Sequence, residues 1–170
     1  QNVPFYVKTY LGSVYNIIGN TYFKLKKYPL SEEAFLKAEA ANIQYKNQRI
    51  LIETQLYLTE LYREKQEYES ALKYAVKARL KAQELGLTKY IARGYAALAA
   101  SYQALNRQDS AFYYYKLATP LTDSLNKVDK NSLIRYQNAL FSENRRLQRL
   151  EQEKTISRNR IRTLSLLGTL

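Results

Sequence analysis

The sequence contains no cysteine and no histidine among its 170 residues. Without cysteine there is no disulfide framework, no thiol nucleophile and no thiolate metal site. The lack of histidine removes the commonest transition-metal ligand and every histidine-based catalytic triad. Glycine (5) and proline (3) are also scarce, whereas alanine, leucine, lysine, glutamine and glutamate are abundant. This composition favours long helices over strands, so the predicted fold class is all-α.

Acidic residues are outnumbered by basic ones, with Lys+Arg at 27 against Asp+Glu at 15 and a formal net charge of +12. Such a surplus favours contact with nucleic acid, anionic lipid or an acidic partner, without choosing among them. No glycine-rich phosphate loop and no nucleophile–base arrangement is visible in the sequence. We therefore expect no enzyme and assign no catalytic, cofactor-binding or metal-binding residue.

An internal repeat of about forty residues is the strongest pattern, because segments 15–40, 55–80 and 95–120 align without gaps. Within each segment apolar residues recur at spacings of three and four, which places them on one face of a helix. Each unit therefore predicts two helices, and the period lies in the range of helical-hairpin arrays. The shared columns are Tyr22, Tyr62 and Tyr102; Ile18, Leu58 and Leu98; Gly19, Thr59 and Ala99; Ser31, Ala71 and Ala111; and Ala38, Ala78 and Ala118.

Several residues predict where helices begin and end. Pro29 suits the first turn of a new helix and cannot continue the one before it. Gly86 is typical of a helix C-terminus, and Thr88 is expected to cap the following helix. Asp109 and Ser110 predict a similar polar start in the third unit.

The first unit, Tyr15-x2-Ile18-Gly19-x2-Tyr22 followed by Ser31-x3-Phe35 and Ala38, resembles the tetratricopeptide repeat pattern W-x2-L-G-x2-Y…A-x3-F…A. The third unit matches almost as well, whereas the second departs at Gln55, Thr59 and Ala75. The resemblance implies a right-handed superhelical solenoid of three hairpins. Its units span about residues 8–47, 48–87 and 88–126, giving an array over 1–126 followed by a capping and connector helix over 127–170.

In tetratricopeptide arrays the first helix of each hairpin lines a concave surface on which partner peptides lie, so the resemblance implies a groove here. Asn16 and Asn20 are four residues apart, and their amides are expected to bracket an extended peptide backbone. The family's carboxylate clamp is incomplete because Tyr57 and Ala97 stand where an amide and a guanidinium are expected. The implied groove positions are Asn16, Asn20, Phe23, Lys24, Tyr57, Glu60, Arg63, Glu64, Arg93 and Gln103, with Leu56, Ala96 and Ala100 between them.

A helix of some thirty residues is predicted from about residue 132 to 162, where neither glycine nor proline occurs. Its first turns are expected to close the third hairpin as a solenoid cap, through Leu133, Tyr136, Gln137, Leu140 and Phe141. Beyond them a heptad seam interrupted by Lys154 and Ser157 predicts a connector or a homodimer contact. The residues on this seam are Leu140, Leu147, Leu150, Ile161 and Leu164.

The order of repeats, long charged helix and apolar tail resembles the sensory part of bacterial membrane-bound regulators with a histidine-kinase or helix-turn-helix output. That resemblance implies a periplasmic position for the repeats. Three arginines, Arg158, Arg160 and Arg162, favour the cytoplasmic side instead. The terminal "TLSLLGTL" is shorter than the twenty or so residues of a membrane span. It suits the opening turns of one, so membrane contact after Arg162 is an expectation.

Three function hypotheses follow. The leading one is a non-catalytic domain that binds a protein or peptide and belongs to a larger signalling or transcription-regulatory protein. The alternatives are a cytoplasmic regulator that binds a signalling peptide or nucleic acid, and a structural adaptor that self-associates. Most of the seventeen tyrosines fall on the repeat columns and are interpreted as packing residues, so nucleic acid is the less favoured partner.

Overall fold

The computed structural model describes the chain from residue 10 to residue 167, and the side chains in that range except those at 129, 132, 133, 136, 140 and 161–167. This part of the chain is helical, without a strand, which confirms the predicted all-α class. The six helices are α1 (Leu11–Lys24), α2 (Tyr28–Gln44), α3 (Gln48–Glu64), α4 (Tyr68–Glu84), α5 (Thr88–Ala104) and α6 (Gln108–Leu167).

The helices from α2 onward begin at residues 28, 48, 68, 88 and 108, a constant step of twenty residues. The same three-residue connection precedes each of them. Its middle residue is left-handed, with φ between 56° and 62° at Lys26, Lys46, Gln66, Gly86 and Asn106. The next backbone N–H bonds five residues back, as from Lys27 to the carbonyl of Tyr22 at 2.9 Å. Helices α1 to α5 therefore end in the same Schellman-type turn.

The predicted helix ends are confirmed at Gly86 and at Pro29, which lies in the first turn of α2. The prediction that Thr88 caps α5 is wrong. Thr88 is the first residue of α5 rather than its cap, which is Leu87, and no side chain caps this helix by a hydrogen bond. At the start of α5 the N–H groups of Thr88 and Tyr90 already bond to the carbonyls of Gly86 at 3.1 Å and Leu87 at 2.9 Å, so a hydroxyl cap is not required.

Consecutive helices pack against one another as hairpins, and α1 also contacts α3 as α3 contacts α5. The small-residue column explains the close approach within the first hairpin. Ser31 donates a hydrogen bond from Oγ to the carbonyl of Gly19 at 2.9 Å, and both residues are buried. The ring of Phe35 lies against the same glycine.

The core consists of aliphatic and aromatic side chains from the repeat columns. One cluster joins Phe35, Leu58, Leu61 and Tyr62 with Ala71, and a second surrounds Ile52 with Leu56, Ala78, Ala82 and Tyr90. Stacked pairs of tyrosines add to this core and recur along the chain. Tyr62 stacks on Tyr74 with ring centroids 5.5 Å apart, and Tyr102 stacks on Tyr114 at the same distance. The interpretation of these tyrosines as packing residues is confirmed.

The final helix is longer than the sequence predicts. Instead of starting near residue 132 it runs without a break from Gln108, through Pro120, to Leu167. The chain falls into two compact units, one ending at Leu125 and the other beginning at Asn126. The predicted cap contained Gln137 and Phe141, and both side chains are exposed. The other predicted cap residues, Leu133, Tyr136 and Leu140, lie outside the described side chains.

Candidate binding groove

Helices α1, α3 and α5 present a common surface, here called the α1–α3–α5 face. Two neighbouring cavities open on it. The first, of about 170 Å³, lies between α1 and α3. The second, of about 220 Å³, lies between α3 and α5. Eight of the predicted groove positions line these cavities: Asn16, Asn20, Leu56, Tyr57, Glu60, Arg63, Arg93 and Ala96, of which Leu56 is buried.

Asn16 is more deeply buried than the sequence suggests, with 6% of its surface exposed. Its Oδ1 accepts a hydrogen bond from the hydroxyl of Thr54 at 3.0 Å. Thr54 Oγ1 in turn accepts one from Asn42 Nδ2 at 3.1 Å. This polar cluster ties α1, α2 and α3 together, so one half of the Asn16 amide serves the fold.

The other half of the Asn16 amide, the buried Nδ2, has no hydrogen-bond partner within the described structure. A buried donor in this state costs about 1–3 kcal/mol until an acceptor reaches it. Asn20, one helical turn along α1, is half-buried and lines the same cavity. The first cavity therefore offers amide groups to an acceptor such as a carbonyl oxygen.

Acidic and phenolic groups of α3 form the opposite wall of the first cavity. The Tyr57 ring stacks on Phe35 with centroids 5.4 Å apart, and its hydroxyl donates to Glu53 Oε1 at 3.4 Å. Burial, reinforced by the negative charge of Glu53, raises the pKa of Tyr57. The phenol is therefore uncharged near neutral pH and acts as a hydrogen-bond donor. Its bond to the Glu53 carboxylate is long and therefore weak.

Two arginines give the second cavity its charge. Arg63 of α3 has a buried Nε that bonds to no described group. Arg93 of α5 lies 3.8 Å from Glu53, at the outer limit of an ion pair, and its guanidinium stands 5.7 Å from the Tyr90 ring centroid. Glu60 is exposed at the same rim. Arg63 and Arg93 therefore retain donors for a carbonyl or carboxylate.

The remaining predicted groove residues do not line these cavities. Phe23 packs against the core cluster around Phe35, with its ring 6.0 Å from that of Tyr28, because an aromatic side chain there gains more from burial between α1 and α2. The other three, Lys24, Glu64 and Gln103, are exposed near the C-terminal ends of α1, α3 and α5. Ala100, the last predicted groove position, is half-buried on α5.

Five lining residues were missing from the predicted set: Ser13, Ile17, Glu53, Thr59 and Ala97. Helical spacing would have found most of them. Ser13 is three residues before Asn16 and Ile17 three residues before Asn20, and Glu53 is four residues before Tyr57. They lie on the same helix faces as the predicted groove residues, but the tetratricopeptide pattern includes only some positions on those faces.

The predicted connector seam lies on α6. Leu147 and Leu150 are half exposed at 51% and 50%, without a covering helix in the part of the chain described. The side chains of Leu140, Ile161 and Leu164 lie outside the described residues. The described helices include none with a stretch long and apolar enough to cross a membrane. Likewise, no three acidic side chains in the described range come together as a metal site.

Comparison with protein-family models gives no match for this chain, and comparison with curated proteins finds none either.

Proposed function

We propose that this chain is a non-catalytic domain of the tetratricopeptide class that binds an extended peptide or protein segment on its α1–α3–α5 face. In this proposal the three hairpins form a right-handed solenoid. The observation that carries it is that two residues lining adjacent cavities, Asn16 and Arg63, each have a buried donor without a described partner, Nδ2 and Nε. Such groups are costly in an empty site and are satisfied by the carbonyl oxygens of a peptide.

The charges of the face define the peptide further. The chain carries a net charge of +12, and Arg63 and Arg93 have donors to spare in the second cavity. We therefore propose a segment with an acidic side chain opposite α3 and α5. Its backbone carbonyls would bond to Asn16 and Asn20 in the first cavity, where the neutral phenol of Tyr57 would exchange its 3.4 Å bond to Glu53 for one to the peptide.

We also propose that the domain is the sensory or scaffolding part of a larger bacterial signalling or transcription-regulatory protein. Helix α6 supports this role, because it extends from Gln108 to Leu167 and carries the exposed Leu147 and Leu150 together with exposed arginines between residues 145 and 160. A long helix of this kind suits a connector that links a bound segment to an output module. The test is to join α6 in frame to a reporter kinase and measure whether peptide binding changes its activity.

The peptide proposal is tested by selecting binders from a displayed library of random peptides and measuring their affinity by fluorescence anisotropy. Arg63→Ala and Arg93→Ala should each weaken binding about tenfold, equivalent to about 1.4 kcal/mol. Lys73→Ala removes the same charge from an exposed position on α4 and should leave affinity unchanged. Failure to enrich any peptide, or equal losses in all three variants, would reject the assignment of this face.

A duplex of random DNA provides the counter-test for the nucleic-acid alternative. Binding that falls steeply with salt and responds equally to Lys73→Ala and Arg93→Ala would indicate a diffuse electrostatic contact. Binding confined to the selected peptides supports the groove.

A further inference from the structure

The contact between successive hairpins repeats along the chain at a spacing of forty residues. In the first contact, Phe35 of α2 stacks on Tyr57 of α3, with centroids 5.4 Å apart. Beside it, Glu32 of α2 forms an ion pair of 2.6 Å with Lys65, just after α3. The columns of this contact are therefore those of Glu32 and Phe35 on the α2 side, and those of Tyr57 and Lys65 on the α3 side.

The next repeat of the sequence carries matched changes in the same four columns. Forty residues on, Phe35 is replaced by Ala75 and its partner Tyr57 by Ala97, so two large rings become two small residues. The charged pair changes in the same way. Glu32 and Lys65 correspond to Leu72 and Leu105, which are both apolar. Size and polarity are thus matched column by column, as close packing requires.

The two ends of the array carry the same columns without a described neighbour. At the far end, α6 holds Phe112 and Tyr115, which correspond to Glu32 and Phe35 and are 64% and 61% exposed. At the near end, Ile17 and Leu25 correspond to Tyr57 and Lys65 and are 68% and 60% exposed. At both ends of the array, the residues in these columns are therefore large and apolar.

A cavity at the near end has room for an aromatic ring. In the second and third units Tyr62 and Tyr102 stack on Tyr74 and Tyr114. In the first unit the residue at the latter position is Ala34, so Tyr22 lacks this stacking partner. A hollow of about 240 Å³ results, bordered by Tyr15, Ile18, Tyr22, Leu30, Glu33, Ala34 and Lys37.

We propose that a second copy of this chain docks on this near end, presenting Phe112 and Tyr115 of its α6 to Ile17, Tyr22 and Leu25. The contact continues the columns that join the hairpins within one chain. It is heterologous, so each copy retains one free end and association is open rather than limited to a dimer. Both contributing surfaces are apolar, whereas each copy carries a charge of +12. Salt should therefore strengthen the association by screening the repulsion between copies.

The test is sedimentation velocity of the full chain over a concentration series at low and high salt. The wild-type chain should form dimers and longer species as its concentration rises, and more of them at high salt. Phe112→Glu blocks the far end and Leu25→Glu blocks the near end, so each variant alone should stay monomeric. Both positions are exposed, and circular dichroism should confirm that the variants remain folded.

Mixing the two blocked variants identifies the head-to-tail arrangement. The intact near end of Phe112→Glu can accept the intact far end of Leu25→Glu, so the mixture should give dimers and nothing larger. The double variant Phe112→Glu, Leu25→Lys places the charges of the Glu32–Lys65 pair at the contact and should restore longer species.

Three outcomes would overturn the proposal: a wild-type chain that is monomeric throughout, single variants that associate as the wild type does, or a mixture without dimers. Association unaffected by both single variants would instead point to the Leu147–Leu150 surface of α6. Peptide affinity at the α1–α3–α5 face, measured on monomeric Phe112→Glu, keeps this result separate from the binding proposal.

Discussion

The ring of Phe35 lies so close to Gly19 that a methyl carbon on the glycine would stand 2.5 Å from Phe35 Cδ1. The Gly19 carbonyl also accepts the Ser31 hydroxyl at 2.9 Å, so α1 and α2 meet at backbone distance. Phe35 itself is 1% exposed and stacks on Tyr57 of α3. A single glycine therefore sets both the first hairpin and the position of a cavity-lining ring.

Gly19→Ala should destabilise the fold. Overpacking a core site costs about 1–3 kcal/mol, while the better helix propensity of alanine returns up to about 1 kcal/mol. We expect a net loss of about 1–2 kcal/mol in the free energy of unfolding by urea. The double variant Gly19→Ala, Phe35→Leu should lose less than the sum of its single variants. A Gly19→Ala chain more stable than the wild type would contradict this packing.

The left-handed connections predict stabilising substitutions. Lys46 and Gln66 are exposed and have φ values of 56° and 62°, a conformation that disfavours any residue with a Cβ. Lys46→Gly and Gln66→Gly should therefore each raise the free energy of unfolding by about 0.5–1 kcal/mol. Gly86→Ala, at φ 62°, should lower it by a similar amount. Thermal melts would check the three signs, and a loss at all three positions would show that side-chain contacts decide instead.

The Glu32 cluster predicts a dependence of stability on pH. Burial raises the pKa of this carboxyl, but hydrogen bonds from Lys65 and Tyr62 more than offset it, so its pKa lies below the ordinary 4.5. The stabilisation is complete above pH 4.5 and is lost as the pH falls through the lowered pKa of the folded state. Chemical unfolding at several pH values should show Glu32→Gln to be less stable than wild type above pH 4.5, with the difference shrinking in acid.

Glu33→Gln is the matched control for that experiment. Glu33 pairs with Lys37 at 2.6 Å, but both side chains are more than half exposed. Exposed pairs contribute little to stability, so this variant should follow the wild type at every pH. Identical pH profiles for the Glu32 and Glu33 variants would show that the partly buried cluster has no special role.

The Thr54 hydroxyl supports two buried amides, and its removal should be costly. Thr54→Val keeps the shape but leaves Asn16 Oδ1 and Asn42 Nδ2 without their partner. We expect a loss of about 1–3 kcal/mol, because each orphaned group keeps its desolvation cost. Thr54→Ser retains the hydroxyl and should lose less. Equal losses would show that the methyl group, not the hydrogen bonds, accounts for the effect.

The sequence predicts the helical fold well where its physical cause is local. Spacings of three and four residues, Pro29 and Gly86 identified helix faces and two boundaries. The connections at Lys26, Lys46, Gln66 and Asn106 were missed because these residue types do not ordinarily mark a left-handed turn. The continuity of α6 through residues 127–131 was missed for a related reason. The polar run there is typical of a loop, yet it contains no residue that forces a helix to end.

For the candidate site, the sequence predicted which face and most of its residues, but not the state of each side chain. Asn16 was placed on the correct helix face, and only the structure places its Oδ1 against Thr54 and leaves its Nδ2 unpartnered. Phe23 was predicted on the same groove surface, but its side chain packs against the core cluster around Phe35. Such differences depend on contacts between helices that are distant in sequence, which a repeat pattern does not encode.

The most direct test of the proposed groove is a two-dimensional NMR titration of the Phe112→Glu chain with a selected peptide. The account predicts shifts in the backbone amides of α1, α3 and α5 and in the side-chain amides of Asn16 and Asn20, with α2 and α4 unchanged. Shifts concentrated on α2 and α4, or on the exposed surface of α6 beyond Asn126, would contradict it.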